Sequence, residues 1–237
     1  MECFLNKLIN FNKISENLTI RSKGKEDAEI IVYGEIGDSM FGESISASYF
    51  SKELDKIRDV KNITLRLNSV GGDVFEGITI YNRLKQHKAK VIVYVDGIAA
   101  SIASIIMLAG DEIILGEGSW IMIHKPWTVA YGDSRDLQDT IDRLDDIENS
   151  LISIYANKTK LSRDEIKTML AKETWMEADE AIKLGFADST FANEYQIAAS
   201  ADKPWIKRSP KIENLANKTI KDKITALKSK VNDFIDR

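Results

Sequence analysis

Residues 90–110 read KVIVYVDGIAASIASIIMLAG. Positions 91–95 are β-branched or aromatic without a break, the composition of a buried strand. From Ile98 to Ala109 the apolar residues recur at helical spacing, which predicts a helix over 98–109. The apolar run 97–110 is the longest in the chain. It falls short of the roughly 20 residues that a bilayer span needs, and it carries Ser101 and Ser104, so it reads as a buried helix. Upstream, 63–67 reads as a strand before a helix over 75–86, and 29–33 as a strand before a helix over 44–57. Downstream, 112–115 and 120–123 read as further strands. Strands alternating with helices give an α/β class, and their order suggests stacked sheets rather than one doubly wound sheet.

After Gly132 the pattern turns helical. Leu137, Ile141, Leu144, Ile147, Leu151 and Ile154 keep one face of a long helix apolar, with Asp133 or Ser134 placed to cap it. Ser162 and Glu165 form the S-x-x-E capping box of a second helix. A short third helix over 178–184 ends at Gly185, a residue suited to the left-handed conformation of a helix C-terminus. Beyond Asp188 the composition changes: Pro204 and Pro210 bracket a basic stretch before a Lys-rich helix in which Ile220, Ile224, Leu227, Val231 and Phe234 step by four and three. That seam is too short for a convincing coiled coil and reads as an amphipathic tail resting on a neighbour. The expected organisation is an N-terminal segment 1–28, a main α/β domain 29–192 and a helical extension 193–237.

With 237 residues, a formal net charge of −4 and a pI near 5.4, the chain has material for one core but no basic field to neutralise a phosphate backbone. No nucleic-acid partner and no membrane are expected. Cys3 is the only cysteine, so an internal disulfide is excluded, and no leader pattern opens the chain; a cytoplasmic location is expected. One Cys and two separated histidines do not make a zinc ligand set, and no metal or other cofactor is assigned.

Two histidines limit the choice of a general base at neutral pH. His87 lies in Lys85-Gln86-His87-Lys88 at a helix end, where a cationic side chain meeting solvent suits the dipole. His124 ends the strand 120–123 just before Lys125-Pro126, where a buried strand emerges into a loop; alone it reads as a structural residue slightly ahead of a base. Ser101 sits near the start of a helix that follows a strand. There it is either a nucleophile beside the N–H of Ile102, a potential oxyanion donor, or a packing serine bonded to the preceding turn. In Asn68-Ser69-Val70-Gly71-Gly72-Asp73 the paired glycines can turn an N–H outward toward negative charge, or simply make a strand-to-helix turn. The segment lacks the spacing of a nucleotide-binding loop.

Together, Asn68-Ser69-Val70-Gly71-Gly72, Gly97-Ile98-Ala99-Ala100-Ser101 and Met122-Ile123-His124-Lys125-Pro126 resemble, in order, three motifs of the Clp protease proteolytic-subunit family. The likeness runs from about Ile30 to Asp188. It implies the ββα superhelix shared with crotonases, with a helical handle and here a C-terminal helical extension. Within the family, Gly72-Asp73-Val74-Phe75-Glu76-Gly77, Ile80-Tyr81-Asn82, Val95-Asp96-Gly97, Glu173-Thr174-Trp175 and Glu180-Ala181 look like the phage branch of prohead maturation proteases.

The resemblance implies Ser101 as nucleophile, His124 as general base, and the N–H groups of Gly72 (or Gly71) and Ile102 as the oxyanion hole. Glu173 stands where the family carries its catalytic Asp, and Val70 replaces a proline. The segment that housekeeping subunits use around their axial pore has no recognisable counterpart here. The implied protein is an ATP-independent endopeptidase acting on scaffold or capsid protein, assembled as a homo-oligomeric ring in which the helix from Asp133 to about Asn157 joins rings. The alternatives are a housekeeping subunit working with an unfoldase ATPase, a crotonase-type acyl-CoA enzyme and an inactive capsid-assembly component.

Overall fold

A computed structural model describes residues 17–37 and 44–191. Its main sheet runs in the order β1 (Leu18–Ser22), β2 (Asp27–Tyr33), β5 (Asn62–Ser69), β6 (Lys90–Ala100), β7 (Glu112–Gly116), β10 (Ser189–Phe191). Apart from the antiparallel β1–β2 pair these neighbours are parallel. Between the strands lie α1 (Ala47–Asp55), α2 (Val74–Gln86) and α3 (Ile102–Met107). Inward residues of β5 and β6, namely Ile63, Leu65, Leu67, Val91, Val93 and Val95, are buried and alternate with half-buried ones, the period-2 pattern of a sheet with one face in the core. On the other face Arg66 forms an ion pair with Asp96, which also accepts from Tyr33 Oη at 2.6 Å, and its guanidinium lies over the rings of Tyr94 and Phe191.

The sheet forks at β6. Ile92–Val95 pair with β7, but Ile98–Ala100 pair with β8 (Trp120–Ile123), which in turn pairs antiparallel with β9 (Thr174–Glu177). The expected stacked sheets are thus one hydrogen-bonded sheet with a branch, beside a two-stranded pair of β3 (Glu35–Ile36) and β4 (Ser44–Ile45). The fork lies where the β5–β6 register jumps: Leu67 faces Val95, yet Ser69 faces Ala99. The extra residues of β6 form a bulge around Gly97, and Asn68 Oδ1 accepts from the N–H of Ile98 at 3.2 Å. Gly97 permits this approach, since a Cβ there would lie 2.8 Å from Asn68 Oδ1.

Several expectations are corrected. The helix predicted over 98–109 starts only at Ile102, because pairing with β8 keeps 98–100 extended, and it ends at Met107. The helix predicted from 44 starts at Ala47, where Ser46 Oγ accepts from the N–H of Tyr49 at 3.2 Å; Ser44 and Ile45 are strand. Strand β1 lies inside the segment assigned to 1–28 and was not foreseen. His87 is not a solvated cation: it is half-buried, its Nδ1 accepts from the N–H of Ala89 at 3.1 Å, and burial pushes its pKa down against the opposing pull of the Ile57 carbonyl.

The long helix α4 (Ser134–Lys158) carries Asp133 as its cap, within a capping box closed by Asp136. Helix α5 (Arg163–Ala171) opens on the predicted Ser162–Glu165 box, and α6 (Ala178–Leu184) ends on Gly185 at φ 87°. The apolar seam of 220–234 lies outside the described residues. Among the described residues no helix is long and apolar enough to cross a membrane.

Asn68→Ala leaves the Ile98 N–H in the bulge without its acceptor. Urea denaturation is expected to show a loss of about 1–3 kcal/mol; a change within about 0.5 kcal/mol, as at featureless surface sites, would mean that the bulge holds without this bond.

Candidate active site

Ser101 is the hinge between β6 and α3, and its backbone is unusual. Its φ of 54° and ψ of −128° lie outside the regions that side-chain-bearing residues normally occupy. Such a conformation costs about 1–3 kcal/mol and persists only where neighbours enforce it. Here the Ser101 N–H donates to the Met122 carbonyl at 2.8 Å, and the Ser101 carbonyl accepts from the N–H of Ser104 at 3.0 Å and from its Oγ at 2.6 Å. Ser104 Oγ also meets Tyr155 Oη of α4 at 2.7 Å, deep in the core. Burial raises the pKa of Tyr155, which keeps its hydroxyl protonated.

The same pairing delivers His124. Strand β8 lies beside β6 with Ala100 opposite Met122, so the residue that follows β8 reaches the residue that follows β6. Nε2 of His124 stands 2.7 Å from Ser101 Oγ. Both residues are half-buried, in a cleft of about 400 Å³ whose lining includes Val70, Gly71, Gly72, Met122 and Trp127. Lys125, the next residue, donates its N–H to the Leu170 carbonyl at 3.2 Å and its ammonium to Glu148 Oε2 at 2.9 Å.

The two glycines complete the cleft. A Cβ on Gly71 would lie 2.7 Å from Ser101 Cβ and 2.8 Å from the Ala100 carbonyl oxygen, so only glycine fits against the hinge. Gly72, at φ 144°, bridges to Ile36, whose carbonyl a side chain would overlap. Their amides differ. The Gly71 N–H is taken by Ser69 Oγ at 3.1 Å, whereas those of Gly72 and Ile102 have no acceptor among the described residues. Two free N–H groups flanking a serine that touches a histidine form an arrangement able to bind a developing oxyanion.

Glu173 is placed differently. It follows α5 at φ 51°, and the β8–β9 register, which pairs Ile123 with Thr174, sets it next to His124 across the strands. Its carboxylate is exposed, and Oε1 accepts from Trp175 Nε1 at 3.2 Å rather than from His124. The structure therefore brings Ser101, His124, Gly71, Gly72 and Ile102 together and leaves the Glu173 carboxylate on Trp175. Sequence reasoning missed Asn68 as the clamp of the bulge, and also Ser104, Tyr155, Lys125 and Glu148. The charged pair carried a signal: Glu148 sits beside Ile147 and Leu151 on the predicted buried face of α4. Among the described residues no group of His, Cys, Asp and Glu could hold a metal ion.

The Clp protease family model matches residues 12–194. An ATP-dependent Clp protease proteolytic subunit of Bacteroides fragilis is 31% identical over 140 residues, 57% of this chain and 66% of that protein. Its counterpart in Bacteroides thetaiotaomicron is 30% identical, and the chain spans 62% of its length. The subunit of Ligilactobacillus salivarius is 30% identical over 180 residues, 75% of this chain and 90% of that protein. In three dimensions, a ClpP1 variant from Listeria monocytogenes superposes with a TM-score of 0.61 at 23% identity, over 72% of this chain and 94% of the other, which establishes a ClpP-like α/β fold. Matched by the family model over most of its length, this chain belongs to the Clp protease family.

Proposed function

We propose that this chain is a serine-type endopeptidase in which Ser101 is the nucleophile and His124 the general base. The observation that carries the reading is the 2.7 Å contact between Ser101 Oγ and His124 Nε2 beside two unbonded backbone amides. Ser101 Oγ attacks the scissile carbonyl while Nε2 takes its proton. The N–H groups of Gly72 and Ile102 receive the oxyanion, and the imidazolium then protonates the leaving amine. Water, giving a proton to the same imidazole, then attacks the ester carbonyl; the C–Oγ bond breaks, Ser101 Oγ takes the proton back and the acid product leaves. One oxyanion donor is worth about 2.7–4 kcal/mol of transition-state stabilisation, which gives a reason for the fixed glycine turn. Glu173, in register with His124, orients the imidazole once its carboxylate turns from Trp175 to Nδ1.

The substrate in this reading is scaffold or capsid protein of a phage prohead, cleaved without ATP by a homo-oligomeric ring in the host cytoplasm. The likeness of Gly72–Gly77, Val95–Gly97 and Glu173–Trp175 to prohead proteases supports it. Assembly is supported by apolar surface beside the cleft: Trp127, Val129 and Tyr131 are 73%, 83% and 95% exposed, and Leu137 and Ile141 of α4 are also exposed. A second reading, a proteolytic subunit that works with an unfoldase ATPase, is favoured by the names of the relatives.

Ser101→Ala and His124→Ala are each expected to lower peptide hydrolysis by on the order of 10⁶-fold, and a fluorophosphonate is expected to label wild type on Ser101 only. Unlabelled protein with intact fold would point to an acyl-CoA enzyme or an inactive assembly component. Capsid-protein cleavage by the purified chain without nucleotide supports the prohead reading; cleavage only with a host unfoldase and ATP supports the second. For Glu173→Gln, stopped-flow hydrolysis is expected to show a fall in kcat of up to about 10⁴-fold. An unchanged kcat would leave a Ser–His dyad.

A further inference from the structure

Glu148 and Tyr155 lie about two turns apart on α4 and therefore on the same face of the helix. Both are buried, Glu148 at 4% exposure and Tyr155 at 1%. Each reaches a different half of the Ser101–His124 pair. Ser104 Oγ has one proton, which it gives to the strained Ser101 carbonyl at 2.6 Å, so the 2.7 Å contact with Tyr155 requires Tyr155 to donate. The result is a buried relay from α4 to the backbone of the nucleophile. On the other side, Glu148 Oε2 holds the ammonium of Lys125, the residue directly after His124, at 2.9 Å.

The Lys125–Glu148 pair is poorly explained as a source of stability. Glu148 is buried, its Oε1 has no partner among the described residues, and Lys125 is half exposed. Taking a carboxylate out of water is costly, and replacing such a pair by apolar residues of similar volume is often neutral or stabilising. What the pair does provide is a fixed distance between α4 and the strand end that carries His124. Tyr155 provides the matching distance to Ser101. We propose that Glu148 and Tyr155 are positioning residues: one face of α4 holds nucleophile and base in reach of each other, through Ser104 on one side and Lys125 on the other. The proposal rests on the peptidase reading for its kinetic consequence, while the geometry it claims is testable separately.

The test uses the full chain and variants that keep side-chain volume. Lys125→Met/Glu148→Leu is expected to unfold at the same temperature as wild type or higher, yet to lose about tenfold or more in kcat and in the rate of fluorophosphonate labelling, with KM little changed, because small misplacements of reacting groups cost rate rather than binding. Tyr155→Phe is expected to show the same split. Lys125→Arg, which keeps the ion pair, is expected to retain activity. Equal kcat and labelling rates in wild type, the double variant and Tyr155→Phe would overturn the proposal. If wild type itself resists the fluorophosphonate, the peptidase reading fails, and NMR of ¹⁵N-histidine-labelled protein decides the positioning role. Altered His124 ring resonances with unaltered His87 resonances in Glu148→Gln and Tyr155→Phe sustain it, and unaltered His124 resonances overturn it.

Discussion

Along residues 92–95 strand β6 pairs with β7, and along 98–100 it pairs with β8; the N–H of Ser101 then extends the second ladder by donating to Met122 at 2.8 Å. That change of partner governs the site. It bends β6 at the Gly97 bulge, carries Ser101 to the end of the branch, and lays β8 alongside so that His124 arrives at the same level. Without the fork, β6 would run on beside β7, and a serine and a histidine 23 positions apart in sequence would have no reason to meet.

Three local constraints support the fork, each with its own physical cause. Asn68 satisfies an amide that the bulge would otherwise leave unpaired. Gly71 lets the turn after β5 touch the hinge, where any side chain would collide. The unfavourable backbone of Ser101 is held by bonds at both its N–H and its carbonyl, so the strain is confined to one residue whose hydroxyl is thereby projected into the cleft. Outward-facing amides and a protruding hydroxyl are what acyl transfer requires, and both arise from backbone geometry rather than from mobile side chains.

Much of this was legible in the residues. Strands 63–67, 91–95, 112–115 and 120–123 and the capped helices α4 to α6 followed from periodicity and caps, because each buries one face or ends on a recognisable residue. Ser101, His124 and the glycine pair were singled out by motif order, and the structure sets His124 Nε2 2.7 Å from Ser101 Oγ. The extent of β6 was not legible: Ile98, Ala99 and Ala100 are apolar and continue the spacing of the helix that follows, and only pairing with β8, formed by distant residues, keeps them extended. The partial burial of His87 was not legible for a related reason, since Ile57 and Asp55, which act on it, lie thirty or more residues away in sequence. The side chain of Glu173 was beyond reach because its carboxylate bonds to Trp175, two residues on across a left-handed turn, a pairing that neither periodicity nor motif order encodes.

Ser101, His124 and the amides of Gly72 and Ile102 are proposed to act on a single reacting carbon. A crystal structure of the protein with a peptide boronate tests this most directly. Boron is expected to bond to Ser101 Oγ, with one boronate oxygen about 2.7–3.1 Å from the nitrogens of Gly72 and Ile102 and another beside His124 Nε2. A boronate bonded elsewhere, or bonded to Ser101 with its oxygens turned away from both amides, would contradict it.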